Sequence, residues 1–122
     1  MKKRITLCFY LLLFGFSNSF SQTVNGIPIH EIDSEYIEIQ GFATFNSNKI
    51  TIQIDFGQGI NPWKRKESQI KDENDKLVMF HSMIDAMNFL DKLGYEFIDS
   101  YIIHDEDSHS FYYLMKKKRE RD

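Results

Sequence analysis

The sequence predicts an α+β domain: an antiparallel sheet of four or more strands with one amphipathic helix packed on one face. Three observations predict it. Aliphatic and polar residues alternate with period 2 across 35–56. Apolar residues recur at helical spacing across 82–93, between a capping serine and a terminating glycine. Two further strand-like runs then close the chain before a charged tail.

Taken in order, Gln22 to Ser34 is polar and turn-like, with Asn25-Gly26 and Pro28 as breakers. From Glu35, Ile37 and Ile39 alternate with Tyr36, Glu38 and Gln40, the pattern of a half-buried strand. Gly41 suggests a bulge or bend before Phe42 to Phe45 continues it. After the turn cluster Asn46-Ser47-Asn48, residues Ile50, Ile52, Ile54 and Phe56 face one way, and Thr51, Gln53 and Asp55 the other. These two strands are expected to pair as a hairpin. Gly57 to Lys66 reads as a surface loop, with Asn61-Pro62, Trp63 and a basic run. A weaker hairpin follows, with Ser68 to Lys71 and Leu77 to Phe80 as arms around Asp72-Glu73-Asn74-Asp75.

The helix spans Ser82 to Leu93. Ser82 suits the N-cap, and Asp85 suits the positive end of the helix dipole. Met83, Ala86, Phe89, Leu90 and Leu93 form the apolar stripe, opposite Asp85, Asn88 and Lys92. Gly94 supplies the left-handed stop. With this helix at the centre of the core, Phe89→Ala is expected to cost about 3–5 kcal/mol. Tyr95 to Ile103 and Ser110 to Met115 then read as strands around the turn Asp105 to Ser108.

The last third of the chain resembles a family of small bacterial domains of unknown function. Their pattern is an amphipathic helix ending in Leu-Gly-x-x-Gly-Trp-Glu-Leu-Val, a strand, a turn, then Tyr-x-Leu-Lys-Lys. The corresponding residues are Leu93-Gly94-Tyr95-Glu96-Phe97-Ile98 and Tyr113-Leu114-Met115-Lys116-Lys117. The second glycine and the tryptophan of that pattern are missing here. The resemblance implies the helix–hairpin order and carries no activity with it.

The first 21 residues read as a cleavable signal peptide. Lys2, Lys3 and Arg4 precede an apolar run from Ile5 to Phe16, and small polar residues to Ser21 complete the three-part plan. Cleavage before Gln22 would deliver an exported, periplasmic or secreted protein. The apolar run is shorter than the ~20 residues a membrane-spanning helix needs, so no stable membrane anchor is expected. The single cysteine, Cys8, lies at the front of this run and not after it, where a lipid-modified cysteine would stand. The organisation is therefore a signal peptide 1–21, an N-terminal lead 22–34, one α+β domain 35–116 and a charged tail 117–122. Without thiols after residue 21, disulfides, Cys-ligated zinc and a cysteine nucleophile are excluded. Residues 22–122 hold 12 basic and 18 acidic side chains, a net charge of −6 that disfavours nucleic acid as a partner.

No catalytic or cofactor motif stands out, and none is expected to be needed. His104-Asp105-Glu106-Asp107-Ser108-His109 is the densest set of ligand-type residues, but it matches no metal spacing and suits a polar hairpin tip. Asp72 and Asn74 begin an EF-hand-like series that Lys76 and Leu77 break. Asp55-Phe56-Gly57-Gln58-Gly59 contains a Gly-x-Gly, but no helix follows to present its N-terminus to a phosphate. His81, just before the helix, has no nucleophile or partner acid placed by spacing. His30 lies in the lead.

The stronger signal is spread over the last two strands, which are apolar on both faces. Ile98, Ile102 and Leu114 are expected on one side, and Tyr95, Phe97, Tyr101, Phe111 and Tyr113 on the other. A helix about 18 Å long covers one face of such a sheet and not two. The aromatic face is then either capped by the Gly57–Lys66 loop or left for a partner. The expected function is an exported, non-enzymatic binding or interaction module. Its candidate binding residues are Trp63, Tyr95, Tyr101, Phe111 and Tyr113, and its partner is a protein or other extracytoplasmic ligand, or a second copy. Two alternatives are a small hydrolase or metal-dependent enzyme using His81 or His104 and His109, and an inhibitor-like partner of an exported enzyme.

Overall fold

The structure, a computed structural model, describes residues 22–119. The signal segment 1–21, with Cys8, and the tail residues 120–122 lie outside the described residues. Among the described residues, six strands, one α-helix and two short 3-10 segments follow one another in an α+β layout.

The lead is part of the fold. β1 (Thr23–Val24) and β2 (Ile27–Pro28) form a small hairpin around Asn25-Gly26, both with positive φ (53° and 74°) as a tight hairpin turn requires. Reciprocal backbone bonds of 2.9 Å join Thr23 to Lys71, and Asn25 N–H donates to the Glu67 carbonyl at 2.8 Å. Val24, Ile29 and Ile32 are buried in the core. The segment read as a polar lead outside the domain therefore belongs to it: three spaced aliphatic residues suffice to anchor a chain whose other side chains face solvent.

β3 (Tyr36–Ala43) and β4 (Ile50–Asp55) pair antiparallel with Ile39 opposite Ile54 and Gly41 opposite Ile52. β5 (Tyr95–His104) and β6 (His109–Lys117) form the second hairpin, and β6 also pairs with β3. The four-stranded order is β4-β3-β6-β5, antiparallel throughout. Its helix-facing side gathers Ile37, Ile39, Ile52, Ile54, Tyr95 and Met115.

The α-helix α1 (Met83–Lys92) starts as its sequence predicts. Ser82 Oγ accepts from Asp85 N–H at 3.1 Å, and the Asp85 carboxylate accepts from His81 N–H at 2.9 Å. Gly94, at φ 95°, ends it. Ala86 and Leu90 are its fully buried residues, while Phe89 is half-buried and meets Phe80 edge-on at 5.4 Å between ring centroids. Leu90, not Phe89, is thus the helix's deepest anchor, while the Phe89 ring packs against Phe80 at the margin of the core. At Gly41 an added Cβ would lie 2.6 Å from Met83 Sδ, so the missing side chain lets the start of α1 close on β3. No described helix is long and apolar enough to cross a membrane.

The two edges of the sheet differ. Ile50 and Phe80 exchange reciprocal backbone bonds of 2.8 Å, and Ile70 N–H donates to the Ile52 carbonyl at 2.9 Å, so the 69–80 segment covers the outer edge of β4. This segment contains the expected weak hairpin, reduced to isolated bridges around a turn held by the Asp72 carboxylate. Along β5, no described segment pairs with the outer edge; Ser100 N–H turns instead to the Asp99 carboxylate at 2.8 Å.

Candidate binding surface

The aromatic residues of the last two strands do not share one face. The register of β5 on β6 shifts between Phe97 and Asp99, and this bulge reverses the alternation for the rest of β5. Tyr95 and Phe97 stay on the helix side with Phe111 and Tyr113, joined there by Ile102 opposite Phe111. Tyr101 passes to the far side, opposite Tyr112 and in line with Leu114. One inserted residue therefore undoes the five-residue aromatic face expected from strict alternation. Tyr95 is only 1% exposed and belongs to the core, so it offers nothing to a ligand.

Phe97, Ile98, Tyr101, Ile102, Ile103 and Phe111 remain 44–49% exposed. For Ile102, Ile103 and Phe111 the cause is geometric. β3 pairs with β6 only as far as Gln40 opposite Tyr112, so the hairpin beyond Tyr101 and Phe111 continues as a two-stranded ribbon past the sheet. Tyr113 lies half-buried, edge-on to Phe97 at 5.8 Å. Trp63 stands 93% exposed in the 3-10 segment Pro62–Ser68, which opens with Asn61 Oδ1 accepting from Trp63 N–H at 3.0 Å. Its indole caps no strand; the loop approaches the sheet through other residues.

Those residues border a groove of about 640 Å³ on the face away from α1. Glu38 and Gln40 of β3, Gln53 and Asp55 of β4, and Tyr112 of β6 line it, with Ile60, Pro62 and Arg65 on the loop side and Asp105, Ser108 and His109 at the hairpin tip. Arg65 lies over the Phe42 ring, 5.9 Å from its centroid. Glu38 and Asp55 sit directly opposite each other across β3 and β4, and neither forms an ion pair among the described residues. Tyr101 donates to Glu38 Oε2 at 2.7 Å and stacks on Tyr112 at 4.9 Å between centroids, the rings within 6° of parallel. That bond to a carboxylate, with burial and the nearby charges of Glu38 and Asp55, pushes the Tyr101 hydroxyl up to about 12 from 10.0. Asp55 Oδ1 accepts from Gly57 N–H at 2.9 Å, which ties the Asp55-Phe56-Gly57 stretch into the turn its composition suits.

On the floor of the groove, Gln53 is 7% exposed, and its Oε1 has no donor. Its Nε2 reaches Gln40 Oε1 only at 3.5 Å. These polar side chains were legible as the outward half of the strand alternation. Alternation does not encode the loop that folds beside them.

His104 and His109 face each other at the hairpin tip with Nδ1 atoms 2.7 Å apart and rings edge-to-face. One Nδ1 donates and the other accepts, the roles set by the ring tautomers. Both are exposed, and no group of three or more His, Cys, Asp or Glu side chains suited to a metal ion assembles among the described residues. His81 is exposed ahead of α1, where its backbone N–H rather than its ring joins the cap.

Fold and surface together define an α+β sheet-and-helix domain with one open edge, an overhanging apolar ribbon and a polar groove beside it. No protein-family model, curated protein or solved structure matches the chain.

Proposed function

We propose that this chain is an exported, non-enzymatic binding module that acts by contact through the β5–β6 hairpin. The partner is a protein segment that adds as a strand to the open β5 edge. The supporting observation is the contrast between the edges: β4 is covered by the 69–80 segment, while β5 is open and flanked by large apolar side chains that are nearly half exposed. A long, apolar, unpaired edge is a template for another strand. Exposed apolar side chains grouped on one element mark contact sites more often than scattered ones do. Trp63, beside the groove-lining Pro62, is the second anchor of this surface, in keeping with the weight of Trp and Tyr in binding energy. The basic, apolar and small-residue order of residues 1–21 supports export, with a mature chain starting at Gln22.

A photo-cross-linking residue at Ile103 is expected to trap a partner that Ile102→Lys abolishes without lowering the melting temperature. The same cross-linker at Phe45, 93% exposed at another turn, is the control. Equal yields from both positions, or a yield that Ile102→Lys leaves intact, would refute the hairpin as the contact element. N-terminal sequencing of exported material tests the leader: a retained Met1 refutes it.

A further inference from the structure

We propose that Gln22 is a modification site: freed as the first residue of the mature chain, it cyclises to pyroglutamate and seals the N-terminus. The inference rests on the cleavage before Gln22 proposed above and goes beyond it by assigning the chemistry of the new chain end. The α-amino nitrogen of Gln22 attacks its own side-chain Cδ. A bond from that nitrogen to Cδ forms and the Cδ–Nε2 bond breaks. The attacking nitrogen gives one proton to Nε2, which leaves as ammonia. The product is a five-membered lactam, lighter by one ammonia, and no oxidant, reductant or co-reactant is consumed. Attack within one residue has the entropic advantage of a tethered nucleophile. An α-amino group also holds its proton less tightly than a lysine does, which leaves neutral nucleophile at hand near neutral pH.

The fold leaves the reacting groups of Gln22 free and gives the chain a reason to protect them. Gln22 stands immediately before β1 and is half-buried. Its carbonyl accepts from Ile29 N–H at 3.1 Å, while no hydrogen bond among the described residues engages its side-chain amide. The amide is thus at liberty to turn onto the amine, and the lactam keeps the carbonyl that Ile29 uses. In the mature chain only Gln22 precedes Thr23, whose reciprocal 2.9 Å backbone bonds with Lys71 tie the lead to the domain. Val24, the next residue, is 0% exposed in the core. Chain ends are where proteolysis concentrates, and an aminopeptidase that removed two residues would sever the Thr23–Lys71 bonds and leave Val24 as the end of the chain. A lactam offers such an enzyme no free amine. It also removes the terminal charge, sparing the fold a half-buried ammonium two positions from a fully buried side chain.

The test is the intact mass of freshly exported protein, followed by fragmentation of its N-terminal peptide. The major species is expected to be the 22–122 chain less one ammonia. Fragmentation should place the loss at Gln22 and not at Asn25, since the Asn25-Gly26 pair is also able to lose ammonia. Sequencing from the amine should stall, then read from Thr23 once pyroglutamyl peptidase has removed the lactam. Gln22→Ala should be exported with its full mass and an open amine. Incubated with an aminopeptidase, the exported protein should stay intact while Gln22→Ala is shortened. A chain that starts at Gln22 and retains its ammonia would overturn the proposal and leave the export reading standing. A retained Met1, or a different first residue, would overturn both. Ammonia loss that maps to Asn25, or that develops only as purified protein ages, would overturn the modification. Equal resistance of the two proteins to the aminopeptidase would show that the lactam seals nothing.

Discussion

Truncating Leu90 to alanine tests how the helix is anchored. Leu90 is fully buried against the sheet, so the substitution removes three carbon atoms from a site without solvent. At about 0.8 kcal/mol per buried methylene, transfer alone accounts for about 2.4 kcal/mol. The residual cavity raises the expected loss to about 3–4 kcal/mol. Phe89 is larger but only half-buried, with its ring edge-on to Phe80, so Phe89→Ala should cost less, about 2–3 kcal/mol. A domain of this size has about 5–15 kcal/mol in total, and at a slope of about 1–3 kcal/mol per molar urea the Leu90 variant should unfold more than about 1 M earlier. Far-ultraviolet circular dichroism is the suitable probe, since Trp63 is already exposed in the folded state and its fluorescence will change little. A loss below about 1 kcal/mol for Leu90→Ala, or a larger loss for Phe89→Ala, would show that α1 is rotated from the orientation described here.

Two further predictions concern tyrosines. Tyr101, with its hydroxyl raised to about 12 by Glu38, stabilises the fold fully below pH 10.0, and that contribution is lost as pH rises from there through about 12. Phenolate absorbance should show one late-titrating, accessible tyrosine that Glu38→Gln returns toward 10.0; a variant with an unchanged late phase would refute the bond. Tyr95 is buried with an unpartnered hydroxyl, and burial raises its pKa. Tyr95→Phe removes that unsatisfied group and should stabilise by about 1 kcal/mol, whereas a loss of stability in urea melts would reveal a hydrogen bond that Tyr95 makes in solution.

Local chemistry determined the elements. Alternating isoleucines specify the β3–β4 hairpin because a strand has a period of two, and Ser82, Asp85 and Gly94 bound α1 because backbone groups at helix ends need partners. The α+β class follows from those periods alone. Tertiary structure decided what periodicity does not encode. The bulge after Phe97 separates Tyr101 from the other aromatics, since one extra residue reverses every side chain beyond it and leaves the composition of the strand unchanged. The burial of the lead depends on backbone bonds to Lys71 and Glu67, more than forty positions away from Thr23 and Asn25. The groove exists because the 57–68 loop folds beside the polar face of β3 and β4, bringing Arg65 and Pro62 to a surface that already held Glu38, Gln53 and Asp55. Each of these is a long-range pairing, and a sequence records the residues that such a pairing unites without recording the distance between them.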